Sequence, residues 1–152
     1  MHRYIATTTW SRDGSPFTDL KYSRAHRWHF DGGADLLASS SPQHVKVPLS
    51  DPAGVDPEEA LVAALSSCHL LSFLYEAAKR GITIDDYVDE AEGVMSKNEQ
   101  GKLAITRVVL RPHVRYASPP DAATQASLHH EAHEACYIAN SVRTEVVVEP
   151  VA

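Results

Sequence analysis

Two cysteines and nine histidines carry most of the chemistry open to this chain. A cysteine thiol serves as a redox nucleophile, a metal ligand or a small buried hydrophobe. Cys68 stands in Ser66-Ser67-Cys68-His69, with Leu61 and Leu65 at i−7 and i−3, which places it on the core-facing side of a helix. It lies too far from that helix's N-terminus for the backbone dipole to activate it, so a reactive thiolate there requires a cation from elsewhere in the fold. Cys136 stands in Ala132-His133-Glu134-Ala135-Cys136-Tyr137-Ile138, beside an inward stripe of Leu128, Ala132, Ala135 and Ala139. Small residues let two helices approach closely, so the two thiols can meet, although spacing alone does not fix the separation a disulfide needs. His129, His133 and Cys136 follow i, i+4, i+7 and form a rival constellation, able in principle to hold zinc or copper with His69 or Cys68. The run His-His-Glu-Ala-His-Glu lacks the gap of a His-Glu-x-x-His motif, and histidines on an amphipathic helix are more often solvated than ligating, so no metal is expected.

The best source of a cation is Arg24. Along residues 17–30 the even positions are Leu20, Tyr22, Arg24, His26, Trp28 and Phe30, which as an extended segment form one apolar face carrying Arg24, with Arg27 on the other. An arginine among aromatics stays charged and needs an anionic partner or an open cleft, unless it snorkels at a strand end or a bulge flips the face.

The elements that position these residues are legible in outline. Residues 3–10 and 17–30 read as a hairpin turning at Arg12-Asp13-Gly14-Ser15-Pro16, followed by short extended pieces at 35–38 and 44–49. A helix then runs from 57 to 80, with Asp56 as N-cap, Pro57 at N1, Glu58 and Glu59 in the first turn, Lys79 and Arg80 in the last and Gly81 at C′. Its middle is apolar or small on nearly every face, more than one such chain readily buries, and an oligomer interface would cover it. Residues 84–95 and 103–116 read as a second hairpin across 96–102, with Asp85, Asp86, Asp89, Glu90 and Glu92 as a solvated edge. A second helix opens at Ser118-Pro119-Pro120-Asp121 and reaches about Asn140, and 143–149 closes the chain as a strand. The order predicts an α+β fold in one domain, 1–152.

Composition bounds the function. The 152 residues hold 14 Lys+Arg against 20 Asp+Glu, a formal charge of −6, with 43% apolar and 22% charged residues. That composition predicts a folded domain, and an acidic balance opposes binding to phosphate backbones, so nucleic acid is not an expected partner. No stretch reads as roughly 18 uninterrupted apolar residues and the N-terminus lacks a signal-like apolar core, so the expected location is the cytoplasm, without a membrane. There, resting cysteines are thiols.

Taken together, Asp56-Pro57-Glu58-Glu59-Ala60-Leu61 leading to Ser67-Cys68, the second cysteine in Ala132-His133-Glu134-Ala135-Cys136 and the terminal strand resemble the OsmC/Ohr family of thiol-dependent hydroperoxide reductases. Tyr22-Ser23-Arg24-Ala25-His26, Phe30-Asp31-Gly32-Gly33 and Ser66-Ser67-Cys68-His69 resemble an OsmC-like subgroup. The resemblance implies an intertwined homodimer with active sites at the subunit interface. In it Cys68 would be the peroxidatic and Cys136 the resolving cysteine, Arg24 the active-site arginine and Glu58 the acid that holds it. It implies organic or lipid-type hydroperoxides as substrates, a Cys68–Cys136 disulfide, an external dithiol of lipoyl type as reductant, and no cofactor. Ten residues of helix separate Glu58 from Cys68 by about 15 Å, so Glu58 and Arg24 are expected to reach the thiol from the partner subunit. Tyr137 departs from the proline that follows the resolving cysteine in many relatives. The alternatives are a metal-binding protein using Cys68, His69, His133 and Cys136, and a hydrophobic-ligand-binding stress protein without turnover.

Overall fold

Helix α1 (Pro57–Lys79) begins where its capping chemistry says it must. Asp56 Oδ1 accepts from the Glu59 N–H at 2.8 Å and the Glu59 carboxylate accepts from the Asp56 N–H at 3.3 Å, a reciprocal capping box. It ends at Gly81, whose φ of 70° is the left-handed conformation a C′ residue adopts. The computed structural model describes all 152 residues and resolves two compact units, Met1–Ala60 and Leu61–Ala152.

The first unit is an antiparallel sheet, β1 (Ala6–Thr9), β2 (His26–Phe30) and β3 (Asp35–Ala38), with β2 in the centre. β1 and β2 pair as a hairpin would, Ala6 opposite Phe30 and Thr9 opposite Arg27. The expected extension over 17–25 is absent: Leu20 takes a φ of 63° and its N–H bonds the Phe17 carbonyl, so the segment turns instead of alternating. Trp10, Phe17 and Tyr22 gather there, with Phe17 and Tyr22 stacked at 4.7 Å. The extended piece expected at 44–49 is also absent. Successive turns, in which Val45 N–H bonds Ser41 O and Leu49 N–H bonds Lys46 O, satisfy its backbone locally. Gly54 passes so close to β3 that an added Cβ would lie 2.9 Å from the Ala38 carbonyl carbon.

In the second unit the expected hairpin is one long ribbon broken in two. β4 (Ile84–Asp89) pairs with β7 (Pro112–Tyr116), and β5 (Glu92–Lys97) with β6 (Leu103–Leu110). The break has a chemical cause: Pro112 has no N–H to give, and the Arg111 N–H goes to the Asp89 carboxylate at 2.6 Å. Asp89 also accepts from Ser66 Oγ at 2.5 Å, so this acid is a structural acceptor and not part of a solvated edge. Asp85 and Asp86 clamp Arg115, and Glu92 pairs with Arg111. β8 (Glu145–Val148) lies parallel to β6.

α1 contributes to two cores in this unit. Phe73 and Ala77 pack with Leu128 and Ala132 of α2 (Ala122–Ala135), and Leu65 packs with Val108 and Leu110 of β6. Its other face leaves Leu71 and Tyr75 each 65% exposed. By length and composition α1 also qualifies as a membrane-crossing helix, contrary to the expectation from sequence, yet Leu65, Phe73 and Ala77 are fully buried in these protein cores. α2 stops at Ala135, five residues short of the expected end, because Asn140 turns back and its side-chain amide donates to the Glu134 carbonyl at 2.9 Å. Its N-cap is Asp121, which accepts from the Thr124 N–H.

Candidate active site

Cys68 and Cys136 are free thiols and neighbours. α1 holds Cys68 half-buried, one residue before the fully buried His69. Cys136 is not inside α2, as the sequence suggested, but is its C-cap, with φ −72° and ψ 107°. It is 1% exposed, its N–H bonds the His133 carbonyl, and its sulfur receives the Ala139 N–H at 3.4 Å. Burial, followed by the hydrogen bond to Cys68, pushes the Cys136 thiol up to about 11. The two sulfurs are therefore unequal: one reachable, the other sealed and firmly protonated at neutral pH.

The histidines gather against the same helices. His69 Nε2 and His129 Nδ1 are 3.2 Å apart, with their rings within 3° of parallel and their centroids 5.5 Å apart. The centroid distance exceeds the nitrogen distance by about two ring radii, so the imidazoles meet head-on, sharing one proton along the line between them. His129 also stacks on Phe73 at 4.4 Å. Both imidazoles are pushed down to about 4, His69 by burial and by the neighbouring His129 and His133, His129 by burial against an opposing pull from Asp89. No three His, Cys, Asp or Glu side chains are arranged to hold a metal ion, so the His129, His133 and Cys136 spacing does not become a ligand set.

Arg24 and Glu58 both belong to the first unit, but no ion pair or hydrogen bond joins them. With Trp10, Phe17, Tyr22 and His26 they line a cavity of about 570 Å³. Arg24 follows the turn, just before β2, and its guanidinium lies 3.9 Å from the Tyr22 ring centroid. Its Nη1 donates to the Leu20 and Tyr22 carbonyls and not to Glu58. Glu58 Oε2 is buried without a hydrogen-bond partner, an uncompensated carboxylate oxygen on the wall of an aromatic pocket. Arg27 is engaged differently: it pairs at the surface with Asp35, which also accepts from His29 and is held below the usual carboxylate range chiefly by Arg27. The sequence signal for Arg24 was its place among aromatics. The head-on His69–His129 pair had no such signal, because the two residues lie sixty positions apart.

Comparison with known proteins bears on the fold and the family. The family model described as OsmC-like protein matches residues 50–151. An OsmC-like protein of unknown function from Vibrio cholerae is 54% identical, with a TM-score of 0.97 over 99% of this chain and 100% of that one. An OsmC-like protein from Mycoplasma pneumoniae is 17% identical, with a TM-score of 0.75 over 99% and 96% of the two chains. The organic hydroperoxide resistance protein OhrB of Bacillus subtilis is 20% identical, with a TM-score of 0.67 over 99% and 98%. At those two lower identities the likeness is one of fold. No curated protein matches. The capped α1, the second cysteine beyond the ribbon and the α+β order thus coincide with a family match over most of the chain, and the chain belongs to the OsmC-like family.

Proposed function

We propose that the protein is a thiol-dependent peroxidase that reduces organic hydroperoxides to alcohols. The observation that carries this reading is the contact between a half-exposed Cys68 thiol and a sealed Cys136 thiol. The thiolate of Cys68 attacks the O–O bond. It takes the terminal oxygen as a sulfenic acid, and the alkoxide leaves and is protonated to the alcohol. The sulfur of Cys136 then attacks the Cys68 sulfenic acid. The S–O bond breaks, water leaves and a Cys68–Cys136 disulfide forms, which an external dithiol of lipoyl type reduces by exchange.

Cys68 lies too far along α1 for the helix dipole to activate it, and Arg24, with Glu58 on the same cavity wall, supplies the cation from the partner subunit of a homodimer. Two observations support this arrangement. Glu58 keeps a buried, unpartnered carboxylate oxygen beside Arg24, and α1 carries Leu71 and Tyr75 uncovered. The apolar cavity walls favour organic over hydrogen peroxide. The test is consumption of cumene hydroperoxide driven by dihydrolipoamide. Turnover in the wild type, abolished in Cys68→Ser and in Arg24→Met, supports the reading. Turnover that persists in Cys68→Ser refutes it.

A further inference from the structure

The sheet of the first unit carries a hydroxyl, an imidazole and a carboxylate in a row, one from each strand. Side chains alternate faces along a strand, so Thr8 of β1 and His26 of β2 line the aromatic cavity while Thr9 and His29 turn to the opposite face. The register sets His29 across from Asp35 of β3, and Arg27 across from Thr9. Thr9 Oγ1 lies 3.1 Å from His29 Nε2, and His29 Nδ1 lies 3.0 Å from Asp35 Oδ2. An ionised carboxylate only accepts, so Nδ1 carries the ring proton, and in the neutral ring Nε2 is then the acceptor for the Thr9 hydroxyl hydrogen. Both ring nitrogens are thus used, each on the partner that an imidazole needs to take a proton from a hydroxyl nucleophile.

Arg27 completes the row. Its Nε and Nη2 hold Asp35 Oδ1 at 2.6 and 2.5 Å, and this contact is the chief cause that keeps the Asp35 carboxyl below its usual range. Asp35 therefore remains an ionised acceptor for His29. Arg27 Nη1 donates to no group of the protein. Directly paired residues in an antiparallel ladder bring their Cβ atoms to about 4.5–5.5 Å, so a cation with a spare donor stands beside the Thr9 hydroxyl, where negative charge develops when that oxygen attacks a carbonyl. Thr9 and Arg27 are exposed and His29 is half-exposed, and β1 is the edge of its sheet, so a substrate reaches the hydroxyl from solvent.

We propose that Thr9, His29 and Asp35 form a second catalytic site, an acyl-transfer triad acting on small activated carboxylic esters, with Arg27 as its oxyanion donor. The inference is independent of the peroxidase reading and uses neither cysteine. Thr9 Oγ1 bonds to the ester carbonyl carbon while its proton passes to His29 Nε2. The tetrahedral oxyanion faces Arg27. The bond to the alkoxy oxygen then breaks, the leaving alcohol takes the proton from His29, and an acyl-Thr9 ester remains. Water attacks that ester, gives its proton to His29 Nε2 and displaces Thr9, which recovers the proton as the carboxylic acid departs. The open sheet face offers no deep walls around the hydroxyl, so the site selects esters by reactivity and not by shape.

The experiment treats the whole protein with diisopropyl fluorophosphate, which modifies activated hydroxyls: the Thr9 O–P bond forms, the P–F bond breaks and fluoride leaves. Peptide mass mapping locates the label. The label is expected on Thr9, absent in Thr9→Val, retained in Thr9→Ser, and at least about 100-fold slower in His29→Gln and Asp35→Asn. A wild type unlabelled at Thr9, or labelled no faster than His29→Gln, overturns the proposal. A second measurement uses wild-type protein alone, so that no variant need fold. Hydrolysis of p-nitrophenyl acetate should fall in proportion as Thr9 becomes labelled, and hydrolysis undiminished at complete labelling overturns the assignment of esters as substrates.

Discussion

Lowering the pH from 7 to 5 should remove a large share of the protein's stability through His69 and His129. Their exposures are 1% and 6%, and burial is the leading cause that pushes each down to about 4, against about 6.5 in an unfolded chain. Between those values the unfolded chain binds protons that the folded one refuses, so the stability these neutral rings confer is complete above about pH 6.5 and is lost progressively down to about pH 4. At pH 5 the unfolded state is favoured by about 2 kcal/mol per ring, and the two rings together cost about 4 kcal/mol relative to pH 7, out of the 5–15 kcal/mol typical of folded domains. The acids held below their usual range, Asp35, Asp121 and Glu131, lose their contribution only as pH falls through the carboxylate range, so they leave this window clear. The assay is urea unfolding of the reduced protein at pH 7, 6 and 5 at fixed protomer concentration, for wild type and for the double variant His69→Gln/His129→Gln. The wild type should lose stability steadily across the series while the variant stays nearly level. A flat wild-type profile, or a variant that falls as steeply, would refute the reasoning.

Three other outcomes follow from particular contacts. Asp89→Ala leaves the Ser66 hydroxyl and the Arg111 N–H without their acceptor and should cost about 2–4 kcal/mol in urea unfolding. Gly54→Ala forces a Cβ to within 2.9 Å of the Ala38 carbonyl carbon and should destabilise the first unit by about 1–3 kcal/mol, visible as faster proteolysis within residues 1–60. Leu71→Glu with Tyr75→Glu charges the uncovered face of α1. In sedimentation it should turn a dimer into a monomer, and an unchanged mass would contradict the proposed interface.

α1 was legible because its ends are punctuated by residues with local effects: Asp56 caps, Pro57 starts and Gly81 stops it. The closing strand and the ribbon were legible from their β-branched runs. What local pattern could not reveal were elements ended by distant partners. The ribbon breaks because Asp89 takes the Arg111 N–H, and α2 ends because Asn140 reaches back to Glu134. The site divides in the same way. Cys68, Cys136 and Arg24 stood out as candidates by residue type and spacing, and Glu58 only through the family resemblance. The mutual contact of the thiols, the unpartnered oxygen of Glu58 and the paired imidazoles depend on packing between residues far apart in the chain.

The central claim is that Cys68 and Cys136 form a redox pair with unequal roles, and counting thiols after one equivalent of cumene hydroperoxide tests it most directly. The account predicts loss of both thiols in the reduced wild type, a trapped sulfenic acid at Cys68 in Cys136→Ser, and no reaction in Cys68→Ser. Two intact thiols in the treated wild type would contradict it.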